Sequence, residues 1–417
     1  MRDALTRAST VSFLLLAAAV PWSVAPMSIA LVLCAALTLL VWWIPGEGGV
    51  RWTRTPVDFP ALGWLAALSL ASLFAVDPGA SWPRVVKGLL LLLVPVAAYH
   101  AREERIAKRA VAVLLVSAGL AAVFALARFA IQGPAFPNRV KGAVGHPLTY
   151  GGQVLLVAAV ASAIAIRCKG RWRVGALAAL AVLLPALAGT YTRSAWIGTI
   201  AALAVIVAFT RARWLAALAG GIAVLAVMLP GVYRARAFSI FDPQSPWNRE
   251  RVHMWDAGLR MLRDHPWTGV GLQDLHSIYE TYKPPGAIEP AGHLHSVYVQ
   301  VAASMGVIGL VALLVLFAGL LRAASRAFRN GSGGFGATIS LGVTAALVGF
   351  MVSGLMEWNL GDEELLDLLC VLVGIAFAAA SWTRAGLKLV ESPAGQPLGA
   401  MENRFRNQPT SPPSPAR

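Results

Sequence analysis

Long runs of apolar residues, separated by short polar or basic segments, occupy most of the chain. A membrane-spanning helix needs about 20 apolar residues, because the hydrocarbon core of a bilayer is about 30 Å thick. Twelve runs approach or exceed this length, so the pattern predicts an all-α polytopic membrane protein with about 12 transmembrane helices. The runs lie at about 10–23, 26–44, 57–76, 82–100, 109–131, 149–167, 174–191, 194–210, 214–232, 295–320, 336–356 and 365–383.

The composition supports a membrane protein. Apolar residues make up 57% of the 417 residues and charged residues only 13%, whereas about a quarter of a soluble protein is charged. The first run follows Arg2 and Arg7 and also fits a secretory signal peptide. The eleven further runs favour an uncleaved first helix.

Basic residues are concentrated in alternate short loops, which predicts the orientation of the chain. Both termini fall on the basic side, which we expect to be cytoplasmic. The acidic loop at 357–364 falls on the other side, called exterior below. The net charge of +15 then reflects topology and contact with anionic lipids, and nucleic-acid binding is not needed to explain it. The basic side carries Arg2, Arg7, Arg51, Arg54, Arg102, Arg105, Lys108, Arg109, Arg167, Lys169, Arg171, Arg173, Arg211, Arg213, Arg322, Arg326 and Arg329.

Three regions follow from this topology. Residues 1–383 form the predicted transmembrane domain, 233–294 a long exterior loop between the ninth and tenth spans, and 384–417 a disordered cytoplasmic tail rich in proline, serine and arginine. The long loop predicts two amphipathic helices that form a lid, a substrate vestibule or a plain surface cap. The first helix starts at Ser245-Pro246 and the second covers about 274–283. Their predicted apolar stripes are Val252, Trp255, Leu259 and Leu262, and Leu275, Ile278, Tyr279 and Tyr282.

Ionisable residues at the exterior ends of the spans are the candidates for chemistry. His295 opens the tenth span, and a continuous helix would place Gly306 within about 20° of its direction, facing the protein interior. A histidine there either moves protons or is a satisfied structural residue. Arg193 lies in the short turn before the eighth span and either binds phosphate or extends its side chain towards the headgroups. Arg139 and His146 precede the sixth span, in a segment that lines the same cavity or is an ordinary loop.

These motifs resemble the bacterial O-antigen ligases, within the O-antigen ligase and polymerase superfamily. The family's histidine motif matches His295-Ser296, nine further residues, Gly306, two residues and Gly309. The family's arginine-containing segment is similar to residues 192–196, where this chain has threonine in place of the family's first serine. The loop arginine and tryptophan correspond to Arg251 and Trp255, and the Pro-x-x-Gly-x-Gly that follows is found at 266–271. The weaker Gly-His-Pro similarity is at 145–147. The resemblance implies a GT-C-like glycosyltransferase architecture with a periplasmic loop.

The resemblance also implies a reaction at the periplasmic face of the bacterial inner membrane. The donor would be an undecaprenyl-pyrophosphate-linked glycan and the acceptor a sugar hydroxyl of lipid A–core. His295 would be the general base of an inverting transfer, and Arg193 and Arg251 would bind the pyrophosphate leaving group. Further candidates for substrate binding are Arg139, His146, Arg249 and Tyr298. We expect no cofactor and no metal ion, because the exterior loops lack an Asp-x-Asp motif and a histidine–carboxylate cluster at metal-ligand spacing.

Other functions fit parts of the same pattern. An O-antigen polymerase uses the same donor, and a protein O-oligosaccharyltransferase differs in its acceptor. A lipid transporter or flippase is the alternative of a different class, but transporters carry polar or broken helices near the bilayer midplane. The predicted spans are almost purely apolar at their centres, which favours chemistry at the surface. The sequence does not indicate the sugar or the oligomeric state.

Overall fold

The computed structural model describes residues 1–44, 54–133, 138–211, 214–215, 221, 231–330 and 334–390. The described residues are helical with no strand, which confirms an all-α polytopic membrane protein. Two short 3-10 segments cover Val86–Leu92 and Asn359–Gly361. The α-helices are α1 (Arg2–Ala19), α2 (Val24–Trp43), α3 (Asp58–Leu73), α4 (Pro78–Val85), α5 (Leu93–His100), α6 (Glu104–Gln132), α7 (Pro147–Arg167), α8 (Gly170–Gly189), α9 (Arg193–Arg211), α10 (Gly231–Phe238), α11 (Pro246–Asp264), α12 (His276–Tyr282), α13 (Val297–Arg329), α14 (Gly334–Ser353) and α15 (Glu363–Val390).

Nine helical segments of the described chain are long and apolar enough to cross a membrane. They are α2, the α4–α5 unit, α6, α7, α8, α9, α13, α14 and α15. Two further predicted spans correspond to α1, whose first turns are polar, and to α3, which has only 16 residues. Most of the predicted ninth span at 214–232 and most of the predicted tail, namely 391–417, lie outside the described residues. Residues 384–390, which we assigned to the tail, continue α15 as a helix.

The centre of the bundle is formed by α7, α14 and α15, whose spanning windows are 94%, 78% and 83% buried. Small residues allow close contacts around them. A Cβ atom on Gly198 of α9 would lie 2.5 Å from the carbonyl oxygen of Gly349 in α14, and one on Gly349 would lie 2.6 Å from that of Gly198. The two backbones therefore touch directly, as is common between membrane helices. This contact anchors α9, which begins at Arg193.

The helix α13 has 33 residues and is broken at Gly306, where φ is 62° and ψ is −162°. The segment 266–271 lies against the break. The Val270 and Gly271 amides donate to the carbonyl oxygens of Ala303 and Ser304 at 2.9 and 3.0 Å, and Val307 donates to Pro266 at 2.8 Å. Two motifs that are distant in sequence thus form one packed unit, in which the glycines allow backbone to contact backbone.

The break corrects our prediction for the tenth span. Residues 297–305 pack against α11, so they belong to the exterior layer, and 307–329 form a segment of about 34 Å that is long enough to span. The helix also begins at Val297 and not at His295. The prediction that one continuous helix places Gly306 within about 20° of the direction of His295 was therefore wrong. The α4–α5 unit is broken as well, by its 3-10 segment.

The two predicted exterior helices are confirmed as α11 and α12, and α10 was not predicted. The stripe of α12 is buried, with Leu275 and Tyr279 fully inaccessible. The stripe of α11 was wrong, because Val252 and Leu259 are 56% and 57% exposed. The helix instead buries Met254, Ala257, Gly258 and Met261. A Cβ on Gly258 would lie 2.6 Å from Val299, so the small residue faces α13 and sets the rotation of α11.

Candidate active site

His295 is held in an unusual backbone conformation just before α13. Its φ is 46°, in the left-handed region that non-glycine residues rarely adopt. The residues on either side fix this conformation. The carbonyl oxygen of Leu294 accepts a hydrogen bond from Trp255 Nε1 at 3.1 Å, and the Leu294 amide donates to Gln300 Oε1 at 2.8 Å. The Val297 amide donates to the carbonyl oxygen of Gly354 at 2.7 Å. The imidazole is thus positioned by α11, α13 and the loop after α14.

Glu357 is the direct partner of His295. Its Oε1 lies 2.9 Å from His295 Nδ1, and its side chain is only 5% exposed. Burial by itself raises the pKa of Glu357, but the hydrogen bond and charge of His295 and the charge of Arg251 outweigh it and lower the pKa to about 2. The ionised carboxylate only accepts, so the shared hydrogen lies on Nδ1. In its neutral form, the imidazole then has Nε2 free to accept a proton.

Arg251 completes this arrangement from α11. Its Nη2 lies 3.2 Å from Glu357 Oε2, and its Nη1 donates to the carbonyl oxygen of Met356 at 2.6 Å. The sequence predicted Arg251 as a ligand of pyrophosphate. In the structure its guanidinium also holds the carboxylate that orients His295, a role that was not predicted.

His293 and His295 form a group with Glu357 that could hold a metal ion, since their potential ligand atoms lie within 4.8 Å of one another. No histidine–carboxylate cluster at metal-ligand spacing is visible in the sequence, because the loop residues and Glu357 meet only in the folded chain. Burial, reinforced by the charge of His295, lowers the pKa of His293 to about 4. His293 is thus neutral at pH 7, and its ring centroid lies 4.2 Å from that of His295.

Three further arginines surround the turn that precedes α9. Arg139 Nε donates to the carbonyl oxygen of Thr190 at 2.6 Å and its Nη2 to Thr192 Oγ1 at 3.0 Å. Arg193 is 4% exposed, and its Nη1 donates to the carbonyl oxygen of Ser239 at 2.9 Å. This contact ties α9 to the end of α10. We call Arg139, Arg193, Arg236 and Arg251 the arginine cluster.

The members of the arginine cluster are close enough to repel one another. Burial first, and then the charge of Arg236, lower the pKa of Arg139 to about 10, while Glu357 opposes this shift. Burial and Arg251 lower the pKa of Arg236. Glu357 is the carboxylate that acts on Arg139. The cluster therefore has a surplus of positive charge that suits a multiply charged anion.

A cavity of about 380 Å³ also borders Glu357. His146, His293, Trp358 and Asp362 line it, together with apolar residues of α3 and the 3-10 segment. Burial lowers the pKa of His146, against the attraction of Glu357. Burial first, and the charges of Glu364 and Glu357 next, raise the pKa of Asp362 to about 7, against a hydrogen bond from Thr149.

The structure brings most, but not all, of the predicted residues together. His295, Arg251, Arg193, Arg139 and His146 gather around Glu357 and the turn before α9, as the electrostatic contacts above show. Arg249, in contrast, is exposed on α11 and forms no ion pair within the described chain. Tyr298 donates its hydroxyl hydrogen to the carbonyl oxygen of Met351 at 3.0 Å, so it links α13 to α14.

Glu357, Arg236 and His293 were missed by the sequence reasoning. Glu357 lies in the acidic loop that served only to orient the chain, although its exterior location was a usable signal. Arg236 is one of several arginines in the long exterior loop, and the sequence pattern does not distinguish it from the others. His293 is two residues from His295, and that spacing gives no sign that both rings meet one carboxylate.

The helical bundle and the polar site at one of its faces define a polytopic membrane protein with a histidine–glutamate pair beside an arginine cluster. Residues 178–314 match the family model described as O-antigen ligase. This match supports a member of the O-antigen ligase/polymerase superfamily and confirms the resemblance seen in the motifs. The matched residues include Arg193, Arg236, Arg251 and His295, whereas Glu357 lies beyond them. No curated protein matches the chain.

Proposed function

We propose that this protein is an O-antigen ligase that transfers a glycan from undecaprenyl pyrophosphate to a sugar hydroxyl of lipid A–core. The observation that carries the proposal is the 2.9 Å contact between His295 Nδ1 and Glu357 Oε1, next to the arginine cluster. The His295–Glu357 pair can remove a proton from an alcohol, and the arginine cluster can bind a pyrophosphate. A transfer from a lipid pyrophosphate to a hydroxyl needs both.

The acceptor hydroxyl gives its proton to His295 Nε2 while its oxygen bonds to the anomeric carbon of the donor sugar. The bond between that carbon and the pyrophosphate oxygen breaks, and undecaprenyl pyrophosphate leaves with the electron pair. A single displacement inverts the anomeric centre. Glu357 stabilises the imidazolium that forms, as a buried carboxylate does for a catalytic histidine. General base catalysis of this kind contributes about 10²–10⁴-fold.

The arginine cluster stabilises the charge that develops on the leaving pyrophosphate. Arg193 and Arg236 lie at the junction of α9 and α10, and Arg139 approaches the same turn from the loop before α7. Arg251 links this cluster to Glu357. The Arg251–Glu357 ion pair thus connects charge stabilisation at the leaving group with proton removal at the acceptor.

We propose that the reaction needs no metal ion, although His293, His295 and Glu357 are close enough to hold one. Oε1 of Glu357 is 2.9 Å from His295 Nδ1 and 3.2 Å from the Trp358 amide. Oε2 is 3.2 Å from the Arg251 guanidinium. A divalent cation at this carboxylate would displace His295 or the Trp358 amide from Oε1, and the Arg251 guanidinium beside Oε2 would repel it.

The orientation belongs to the same proposal. The basic loops support an orientation with both termini in the cytoplasm and the site at the periplasmic face of the inner membrane. Both substrates carry lipid anchors, so they enter sideways from the bilayer. Their sugars extend below α11 and α12, which cover the exterior end of α13.

The test is glycan transfer by the purified protein from undecaprenyl-pyrophosphate-linked donor to rough lipopolysaccharide in the presence of EDTA. We expect product from the wild type and about 10²–10⁴-fold less from His295→Ala. The control His276→Ala, an exposed histidine on α12, keeps wild-type activity. Equal activity of His295→Ala and the wild type would remove His295 as the base.

The same assay separates the alternatives. Elongation of the lipid-linked donor without transfer to lipopolysaccharide would identify an O-antigen polymerase. Transfer to an added acceptor protein would identify a protein O-oligosaccharyltransferase. Movement of intact donor across a vesicle membrane without any transfer would identify a lipid transporter. Activity that is lost in EDTA and restored by a divalent cation would contradict metal independence.

A further inference from the structure

A second cavity lies between α6 and α8, away from the candidate active site. It has a volume of about 990 Å³. The helix α7 begins beside His146 at the face of the active site and ends at Arg167, and α8 begins three residues later at Gly170. The first turns of α6 and α8 therefore lie at the opposite face of the membrane. The cavity extends from these first turns towards the middle of the bundle.

The long walls of this groove are apolar. Val116, Leu120 and Val123 of α6 are 64%, 58% and 50% exposed and follow one another on one face of the helix. The facing surface of α8 is built from small residues, among them Gly175 and Ala179. A Cβ atom added to Gly175 would meet no atom within 4 Å. The groove is therefore open along its length, and a flexible apolar chain could lie in it.

The end of the groove is strongly basic. Arg105, Lys108 and Arg109 of α6 and Arg171 of α8 line it. Lys108 is paired with Glu104 at 2.8 Å, but within the described chain the three arginines form no ion pair. Four cations around one carboxylate leave a net positive charge at the depth of the lipid headgroups. A basic pocket between membrane helices is a recognised form of site for anionic lipid headgroups.

We propose that this groove binds an anionic phospholipid of the leaflet opposite to the active site. The phosphate lies among Arg105, Arg109 and Arg171, and an acyl chain lies along α6 towards Val123. From Arg109 to Val123 the helix rises about 21 Å, which exceeds half of the roughly 30 Å hydrocarbon core. A soluble anion would not use the apolar walls, and a neutral lipid would not use the arginines.

The experiment measures lipid binding to the purified full-length protein by native mass spectrometry. The probes are phosphatidylglycerol and phosphatidylcholine with identical acyl chains. We expect the wild type to retain phosphatidylglycerol in clear preference, and the double variant Arg109→Gln/Arg171→Gln to lose about tenfold of that preference. The matched control is Arg322→Gln/Arg329→Gln, which removes two exposed arginines at the same face, on α13.

A third variant tests the groove without changing its charge. Gly175→Phe fills the open space beside α6, and we expect it to weaken binding of phosphatidylglycerol although all four cations remain. An equal loss of preference for phosphatidylglycerol in Arg109→Gln/Arg171→Gln and in the α13 control would show that surface charge alone holds the lipid. Unchanged binding to Gly175→Phe, or no headgroup preference in the wild type, would also overturn the proposal.

Discussion

Glu357 Oε1 lies 2.9 Å from His295 Nδ1, although the two residues are 62 positions apart. This contact determines which nitrogen of the imidazole carries hydrogen, because the ionised carboxylate can only accept. It also connects His295 to Arg251, which holds the other carboxylate oxygen at 3.2 Å. His295 and the arginine cluster are therefore joined by one buried side chain.

Replacing Glu357 with glutamine is expected to lower kcat for glycan transfer by about 10²-fold or more, because a buried carboxylate orients a general-base histidine and stabilises its imidazolium. The amide can still accept from Nδ1, but it has no charge to stabilise the imidazolium. The measurement is the steady-state rate with lipid-linked donor and rough lipopolysaccharide. Glu363→Gln is the control, since that residue is 39% exposed and pairs with Lys87. A Glu357→Gln enzyme as fast as the control would exclude the orienting role.

Arg236→Gln is expected to raise the KM for the lipid-pyrophosphate donor by about tenfold, because one charge-assisted contact is lost. Arg236 Nε lies 3.4 Å from the carbonyl oxygen of Tyr191, beside the turn that holds Arg193. Arg234→Gln provides a matched control two residues earlier, on the exposed side of α10. If both variants changed KM equally, general charge near the membrane would explain the effect and Arg236 would have no specific part.

Gly306→Ala should destabilise the fold by at least about 2 kcal/mol, because alanine is strained in this backbone conformation and its Cβ would overlap the backbone of Trp267. The measurement is thermal unfolding of the detergent-purified protein. Gly286→Ala tests positive φ alone, since its φ is 89° and a Cβ there meets no atom within 4 Å. Equal losses in the two variants would mean that the packing of 266–271 into the break adds nothing.

The stability of the fold should depend on pH through Asp362, whose pKa is raised to about 7. The folded state holds this proton more tightly than the unfolded state. The contribution of protonated Asp362 to the free energy of unfolding is therefore fully present below pH 3.8 and is lost as the pH rises through 7. Asp362→Asn keeps a neutral side chain, so we expect it to melt several degrees above the wild type at pH 8. The difference should shrink towards pH 4.

The control for this comparison is Asp256→Asn, an exposed residue paired with Arg260 at 2.8 Å on α11. Its effect should be small at both pH values, because exposed ion pairs contribute little. A constant difference between Asp362→Asn and the wild type at pH 4 and pH 8 would contradict the assigned ionisation.

Local pattern was sufficient for the fold class and for part of the site. Hydropathy predicted the spanning helices because the bilayer acts on each segment separately. The proline and serine at 245–246 predicted the start of α11, and the resemblance selected His295, Arg193 and Arg251. The rotation of α11 was not predictable, since the contact of Gly258 with Val299 outweighs the apolar stripe.

The sequence by itself determined an all-helical membrane protein whose candidate site residues lie at the exterior ends of the spans, since burial of charge inside the bilayer is costly. Only the tertiary structure decided that Glu357 meets His295, that Arg236 joins Arg193, and that 266–271 enters the break at Gly306. Each of these contacts joins segments that are distant along the chain. Their geometry depends on how the helices pack, and no local pattern of residues encodes that packing.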